Sequence, residues 1–388
     1  MNRMKSFLAA SLVVFALVGV ATTMLGPMLP VMAAQWKLTD TQSGLLFVAQ
    51  FCGGFLGAIA STSLIQRISI HLTMRAGLLI MAAGVACVPY YSAWTAAGGI
   101  LLYGIGIGFA TPSISVAVCE ALPGHRARAL NLLNLFWALG AILAPGLISR
   151  LALRSTLGLR GTLFIISAAL VTAAFVIPPL RVTIGRSRST ARFNTHDLRL
   201  IIVTGLLIFI YVGVENGVAG WLPTFAQRLQ GFSPERGSLL QGTFWAALLT
   251  GRLASALFIR HGREHLFLSA SMVTVTLGTA ALLLGRGGSW LYLPVILIGA
   301  GCAPVFPTTI AVLSQHLSSG TSEKLGWMFA AGGLGGAVLP FCIGVLSSAT
   351  ASLRIGMCIL FLAELGMMAA HATMRRSCLD AALPAPVD

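Results

Sequence analysis

The stretch Val18-Gly19-Val20-Ala21-Thr22-Thr23-Met24-Leu25-Gly26 returns later in the chain as Val212-Gly213-Val214-Glu215-Asn216-Gly217-Val218-Ala219-Gly220. Leu45-Leu46 and Gly57 likewise return as Leu239-Leu240 and Gly251, at the same offset of 194 residues. Gly104-x-Gly106 with Pro112 returns as Gly299-x-Gly301 with Pro307, and Gly140 with Pro145 as Gly335 with Pro340, at an offset of 195. One inserted residue between the second and fourth segments reconciles the two offsets. A single match means little in a chain with 43 glycines. Four segments in the same order at a near-constant offset indicate a duplicated unit.

The duplicated unit is apolar. Of the 388 residues, 57% are hydrophobic and only 9% charged, with a mean hydropathy of +0.89. A soluble domain carries about 25% charged residues, so a water-soluble globule is excluded. Long apolar runs approach the roughly 20 residues a spanning helix needs. They predict twelve spans, over 6–33, 43–65, 76–93, 96–118, 129–150, 161–180, 200–222, 237–259, 266–285, 290–316, 325–348 and 354–374. Continuous runs of this length do not fit a β-barrel, whose strands alternate over about ten residues. The expected fold is therefore an all-α membrane protein of two pseudo-symmetric six-helix bundles. Residues 1–180 form the first half, 181–199 a linker and 200–388 the second half.

The net charge of +15 does not point to nucleic acid, because of where the charge lies. With the N-terminus inside, the outer segments hold eight basic residues: Lys37, Arg150, Arg154, Arg160, Arg228, Arg236, Arg286 and Arg354. Arg252 lies in a span, and the other sixteen of the 25 Lys and Arg fall on the inner side, including Arg181, Arg186, Arg188 and Arg192 of the linker. That bias places both termini in the cytoplasm of a bacterial-type inner membrane and adds attraction to anionic headgroups. Arg3 and Lys5 before an apolar run also resemble a signal peptide. Cleavage would remove the partner of the Val212–Gly220 segment, so an uncleaved first helix is expected. The seven cysteines are scattered without a C-x-x-C and read as packing residues. His261 and His265 are four apart in a basic loop without acids or Cys to complete a metal site. No P-loop or hydrolase motif is present, so neither a cofactor nor enzymatic chemistry is expected. Small residues four apart (Gly53/Gly57, Gly104/Gly108, Gly332/Gly336) suit close helix crossings in lipid. Pro112, Pro145, Pro307 and Pro340 fall inside spans, where they kink or open helices.

Taken together, these residues resemble the major facilitator superfamily over the whole chain. The segment Ser63-Leu-Ile-Gln-Arg-Ile-Ser-Ile-His-Leu-Thr-Met-Arg75 sits where that superfamily carries G-x-x-x-D-R-x-G-R-R. Arg67 fits the first Arg, while Gln66 replaces the acid and Ser69 the glycine. Glu120 and Arg128 look like the acid and base that accompany the motif, so the resemblance implies a cytoplasmic gate of Arg67, Glu120 and Arg128. Three stretches, Phe51–Gly57, Arg128–Gly140 and Tyr211–Trp221, with Phe244-Trp245 and Gly251-Arg-Leu253, are similar to the fucose permease and glucose/mannitol permease branch. Members of that branch typically carry proton-coupling acids in the first and fourth helices. This chain has Ala21, Thr22 and Thr23 in one and Thr111, Ser113 and Ser115 in the other, so that mechanism does not transfer.

Where the two repeats differ, function is expected. Glu215 has Ala21 as its first-repeat equivalent. An acid in a span costs roughly 2.5–3.5 kcal/mol on insertion scales, and desolvation favours its neutral form. That suits a proton carrier. With its helix ending near 222, Glu215 would lie only about 10 Å deep, which leaves a structural role open. Glu364, in the last span, is expected to be structural. Arg252, whose equivalent is Ala58, is a possible anion contact, expected at a different depth from Glu215 and out of its reach. Gln50, Asn134, Trp137, Asn216, Gln241, Trp245 and Trp327 suit a hydroxylated ligand: amides bond hydroxyls in both directions and aromatic faces cover a sugar ring. Trp221 and Trp290 are expected in the interfacial aromatic belt. Repeated membrane halves around a midplane site are a common build of secondary transporters. The reading is a monomeric secondary active transporter for a small molecule, coupling proton entry to uptake of a sugar or polyol. An efflux antiporter for amphipathic compounds and an organic-anion carrier are the alternatives.

Overall fold

The computed structural model describes residues 2–89, 92–178, 195–259, 262–285, 287–316 and 321–382. The linker arginines Arg181, Arg186, Arg188 and Arg192, and also His261, lie outside the described residues. The first half contains α1 (Asn2–Thr23), α2 (Leu25–Trp36), α3 (Asp40–Arg67), α4 (Ile70–Cys87), α5 (Ala93–Ala121), α6 (Arg126–Leu147) and α7 (Gly158–Val176). The second contains α8 (Thr195–Gln230), α9 (Pro234–Phe258), α10 (Glu264–Leu284), α11 (Tyr292–Cys302), α12 (Val305–His316), α13 (Thr321–Thr350) and α14 (Leu353–Ala382). The pairs α1/α2 and α11/α12 each make one broken span, and α6 runs on into a π-helical stretch, Ile148–Leu153.

Among the described residues, eleven of these spans are long and apolar enough to cross a membrane. The twelfth predicted span forms α9, whose 25 residues include Glu235, Arg236, Gln241 and Arg252. Two boundaries moved in ways that matter. α8 starts at Thr195, within the stretch read as linker, and continues through Pro223 to Gln230. The stretch between the second and third predicted spans, 66–75, is mostly helix, with only Ile68 and Ser69 between α3 and α4. The Ser69 hydroxyl accepts from the Leu72 amide at 3.1 Å and so starts α4 early.

The first span breaks at Met24 for a local reason. Pro27 has no amide to donate and its ring crowds the carbonyl four residues back, that of Thr23. At the start of α3, Thr39 and Gln42 form a reciprocal capping box. The cap fixes Asp40 as the first helical residue, where a negative charge suits the helix dipole.

The two halves pack by the same crossings. α1 lies on α6 as α8 lies on α13, and α5 lies between α3 and α4 as α11 lies between α9 and α10. Gly140 is pressed against the Ala16 carbonyl, and its repeat equivalent Gly335 against the Phe209 carbonyl. Gly104 faces the Gln50 carbonyl and its equivalent Gly299 faces that of Phe244. Residues 16 and 50 are 193 and 194 positions from 209 and 244, close to the offset of the glycines themselves. In lipid, helix association rests on such packing, because the tails are as apolar as the side chains.

Gly335 and Gly333 give an internal comparison. A methyl group at Gly335 would overlap the Phe209 backbone, whereas one at Gly333 would meet nothing within 4 Å. Gly335→Ala should therefore destabilise the detergent-solubilised protein by about 1–3 kcal/mol, read as a fall in its thermal midpoint. Gly333→Ala should leave it within about 0.5 kcal/mol. Equal effects would mean that the α8/α13 crossing is not tight.

Candidate functional site

At the break in the first span Pro27 offers no amide to the Thr23 carbonyl, and the carbonyls of Thr22 and Thr23 accept from side chains of other helices. Two amides meet them, one from each half. Gln50 of α3 donates to the Thr22 carbonyl at 2.8 Å and accepts from the Tyr103 hydroxyl at 2.8 Å. Gln241 of α9 donates to the Thr23 carbonyl at 3.3 Å, and Gly26 lets the α1/α2 corner approach that amide. Both side chains are buried. The sequence marked these glutamines as ligand contacts; here both bond backbone at the break, and Gln241 meets the carbonyl that Pro27 leaves without a helical donor.

Further along the same face of α9 stand Trp245 and Arg252. Trp245 is buried, with its ring edge-on to Trp137 of α6 at 5.6 Å between centroids. Its indole Nε1 and the Gln241 Oε1 have no partner among the described residues, and neither has the Arg252 Nε. Positions 241, 245 and 252 fall on one helical stripe. Asn216 donates to the Val212 carbonyl of its own helix at 2.9 Å. Asn134 and Trp327 are exposed on the molecule's surface and join no described cluster.

Arg252 does reach Glu215, against expectation. Its guanidinium lies 3.8 Å from Glu215 Oε2, and the Tyr211 hydroxyl donates to the same oxygen. The cause is the length of α8. Glu215 is fifteen residues from the helix end at Gln230, and Arg252 eighteen from the start of α9 at Pro234. At 1.5 Å per residue these are about 22 and 27 Å from the same end of the bundle. Glu215 is therefore deep rather than near the surface, and only 9% exposed. The pair is loose and Arg252 keeps 30% of its side chain accessible, so the two charges are not locked together. Glu364 of α14 is fully buried and accepts from the Thr279 hydroxyl of α10 at 2.6 Å, tying two helices together.

The halves meet most closely at the end opposite the termini. Asp40 of α3 pairs with Arg228 of α8 at 2.6 Å and accepts from Ser347 of α13 at 2.6 Å. Next inward, Phe47 packs against Trp221 with centroids 6.5 Å apart. The Trp221 indole donates to the Pro340 carbonyl at 2.9 Å. Trp221 is completely buried in this closure rather than in an interfacial belt, because α8 continues beyond it; Trp290 is 53% exposed. Phe51 then abuts Gly336, and beyond it Gly53 and Gly57 turn α3 onto α5 instead. At the other end, Glu120 pairs with Arg126 at 3.0 Å, the base brought nearest by the turn at 123–125. Arg67 and Arg128 are exposed, and no ion pair among the described residues joins either to Glu120.

The comparisons agree with this architecture. The model of the Major Facilitator Superfamily matches residues 11–340, and the chain belongs to that family. A glucose/galactose transporter of Brucella abortus is 24% identical over 365 residues, covering 86% of each chain. A bacterial homologue of the human lysosomal transporter Spinster, in an inward-facing and occupied conformation, superposes with a TM-score of 0.80 at 15% identity over 98% of both chains. The transporter FucP in the outward conformation superposes at 0.65, with 19% identity over 95% of this chain and 99% of that one. The chain is thus a multi-pass membrane transporter and not an enzyme.

A double-mutant cycle measures the buried pair. Arg252→Gln should lower the thermal midpoint in the native background, where it strands Glu215, and much less in the Glu215→Gln background. The expected coupling is about 1 kcal/mol, within the range for neighbouring charges. Strict additivity would show that the two residues do not interact.

Proposed function

We propose that this chain couples proton entry to the uptake of a sugar or polyol by alternating access. The observation that carries the substrate class is the stripe on α9: a buried acceptor, Gln241 Oε1, and a buried donor, Trp245 Nε1, neither with a partner among the described residues. A buried polar atom without a partner costs about 1–3 kcal/mol. One ligand hydroxyl both donates and accepts, and would satisfy them together beside the Trp137 ring. Gln50 and Asn216 extend the proposed contact set, while Asn134 and Trp327, exposed in this structure, would join it only in another conformation. The carboxylate beside Arg252 weighs against an organic-anion carrier, whose arginine would have to be free. The polar stripe weighs against efflux of amphipathic compounds, which calls for an apolar cavity.

In this reading Glu215 carries the proton. Deprotonated, it is held by Tyr211 and Arg252; protonated, it no longer attracts Arg252, and the α8/α9 contact loosens. Residues 1–180 and 200–388 are the moving halves, joined by the linker 181–199. Asp40, Arg228 and Ser347 close the outer face, and Arg67, Glu120 and Arg128 engage when the opposite face closes. The protein would work as a monomer in a bacterial-type inner membrane with both termini cytoplasmic.

Proteoliposomes loaded with a pH dye and offered labelled sugars, polyols and carboxylates test the coupling. Substrate-dependent proton influx is expected, abolished in Glu215→Gln while counterflow exchange persists. Uptake without proton movement, or an unchanged mutant, would reject Glu215 as the carrier. The gate has its own test. Asp40→Asn should speed labelling of Phe51→Cys by an impermeant maleimide from the outer face about tenfold in a cysteine-free background. An unchanged rate would remove Asp40 from the closure.

A further inference from the structure

A cavity of about 420 Å³ lies between α10 and α14, away from the central stripe. Its walls carry two kinds of chemistry. Arg375, Arg376, Ser269 and His371 supply donors, while Met272 and Met368 supply apolar surface. His371 is 3% exposed; its Nε2 lies 3.2 Å from the His265 carbonyl and 3.2 Å from the Ser269 hydroxyl. Its Nδ1 is buried with no partner among the described residues. The His265 ring lies 5.4 Å from that of His371, tilted 36° to it, and His265 in turn is near Arg375, His316 and Glu264. Basic groups dominate the cavity, and both arginines are exposed at its mouth.

Depth identifies the ligand. Arg375 is 22 residues from the start of α14 at Leu353, about 33 Å along the helix axis. The hydrocarbon core is about 30 Å thick, so the arginines stand at headgroup level and His371, one turn back, just inside it. A cavity with guanidiniums at headgroup level and methionines below matches a molecule that is anionic at one end and apolar at the other. We propose that this cavity binds the phosphate of an anionic phospholipid from the leaflet on the side of the termini. The phosphate oxygens pair with Arg375 and Arg376, and the upper acyl chain lies against Met272 and Met368. Basic pockets between spans are a recurrent way to hold such headgroups.

The test uses the purified full chain in detergent and native mass spectrometry. Phosphatidylglycerol and phosphatidylcholine of equal chain length are titrated separately, and inorganic phosphate serves as competitor. Phosphatidylglycerol should be retained in preference to phosphatidylcholine. Replacing both arginines, Arg375→Gln with Arg376→Gln, should weaken its retention by about thirty-fold, from the usual contribution of two surface basic residues. Arg236→Gln, at the other end of the bundle, should not. If the double variant does not purify, Ala372→Phe fills the same cavity and should give the same loss. Equal retention of the two lipids, or retention indifferent to these substitutions, overturns the proposal. Displacement of the lipid by equimolar inorganic phosphate would assign the site to a soluble anion instead and overturn the lipid assignment.

Discussion

The constraint on which the rest of this structure depends is that backbone polar groups inside a membrane must find partners within the protein. Pro27 breaks the first span and leaves the Thr23 carbonyl, next to that of Thr22, without a helical amide. Gln50 and Gln241, from opposite halves, close them. The central seam of the protein is thus held by a defect and its repair. Movement of one half against the other must exchange the Gln241–Thr23 bond for another, whereas the Gln50–Thr22 bond lies within the first half.

Around that seam the halves are built from glycine crossings that recur at the repeat offset. Gly140 on Ala16 and Gly335 on Phe209 are the same contact made twice. Such contacts are rigid, because backbone meets backbone with no side chain to adjust. The closure at the far end is of another kind. Asp40, Arg228 and Ser347 form a small polar latch over the Phe47–Trp221 and Phe51–Gly336 contacts. Exposed ion pairs contribute little stability, and a latch of that sort can open. The crossings within the halves are thus tighter than the latch between them.

The buried charges follow from helix length. Had α8 ended near Leu222, Glu215 would have stood near the surface. Its continuation to Gln230 brings Glu215 to the depth of Arg252. Each charge then makes the other tolerable in a low-dielectric setting, and Tyr211 adds a donor to the carboxylate. At 3.8 Å the pair is a charge contact rather than a hydrogen bond.

The sequence by itself determined the membrane class, the duplicated plan and the helices. Those properties depend on composition and on spacing along the chain, and a run of twenty apolar residues has few alternatives in lipid. It also singled out Glu215 and Arg252 as charges within spans, and Gln241 and Trp245 as residues suited to a hydroxylated ligand. Only the tertiary structure decided which of them meet. Whether Arg252 touches Glu215 depends on where two helices end, and sequence periodicity locates helix ends least well. The partner of Glu120 is Arg126 rather than Arg128 because a short turn reverses the chain between them. Trp221 left the aromatic belt for the core because its helix ran on. The bonds of Gln50 and Gln241 depend on carbonyls of α1, which no pattern within α3 or α9 contains.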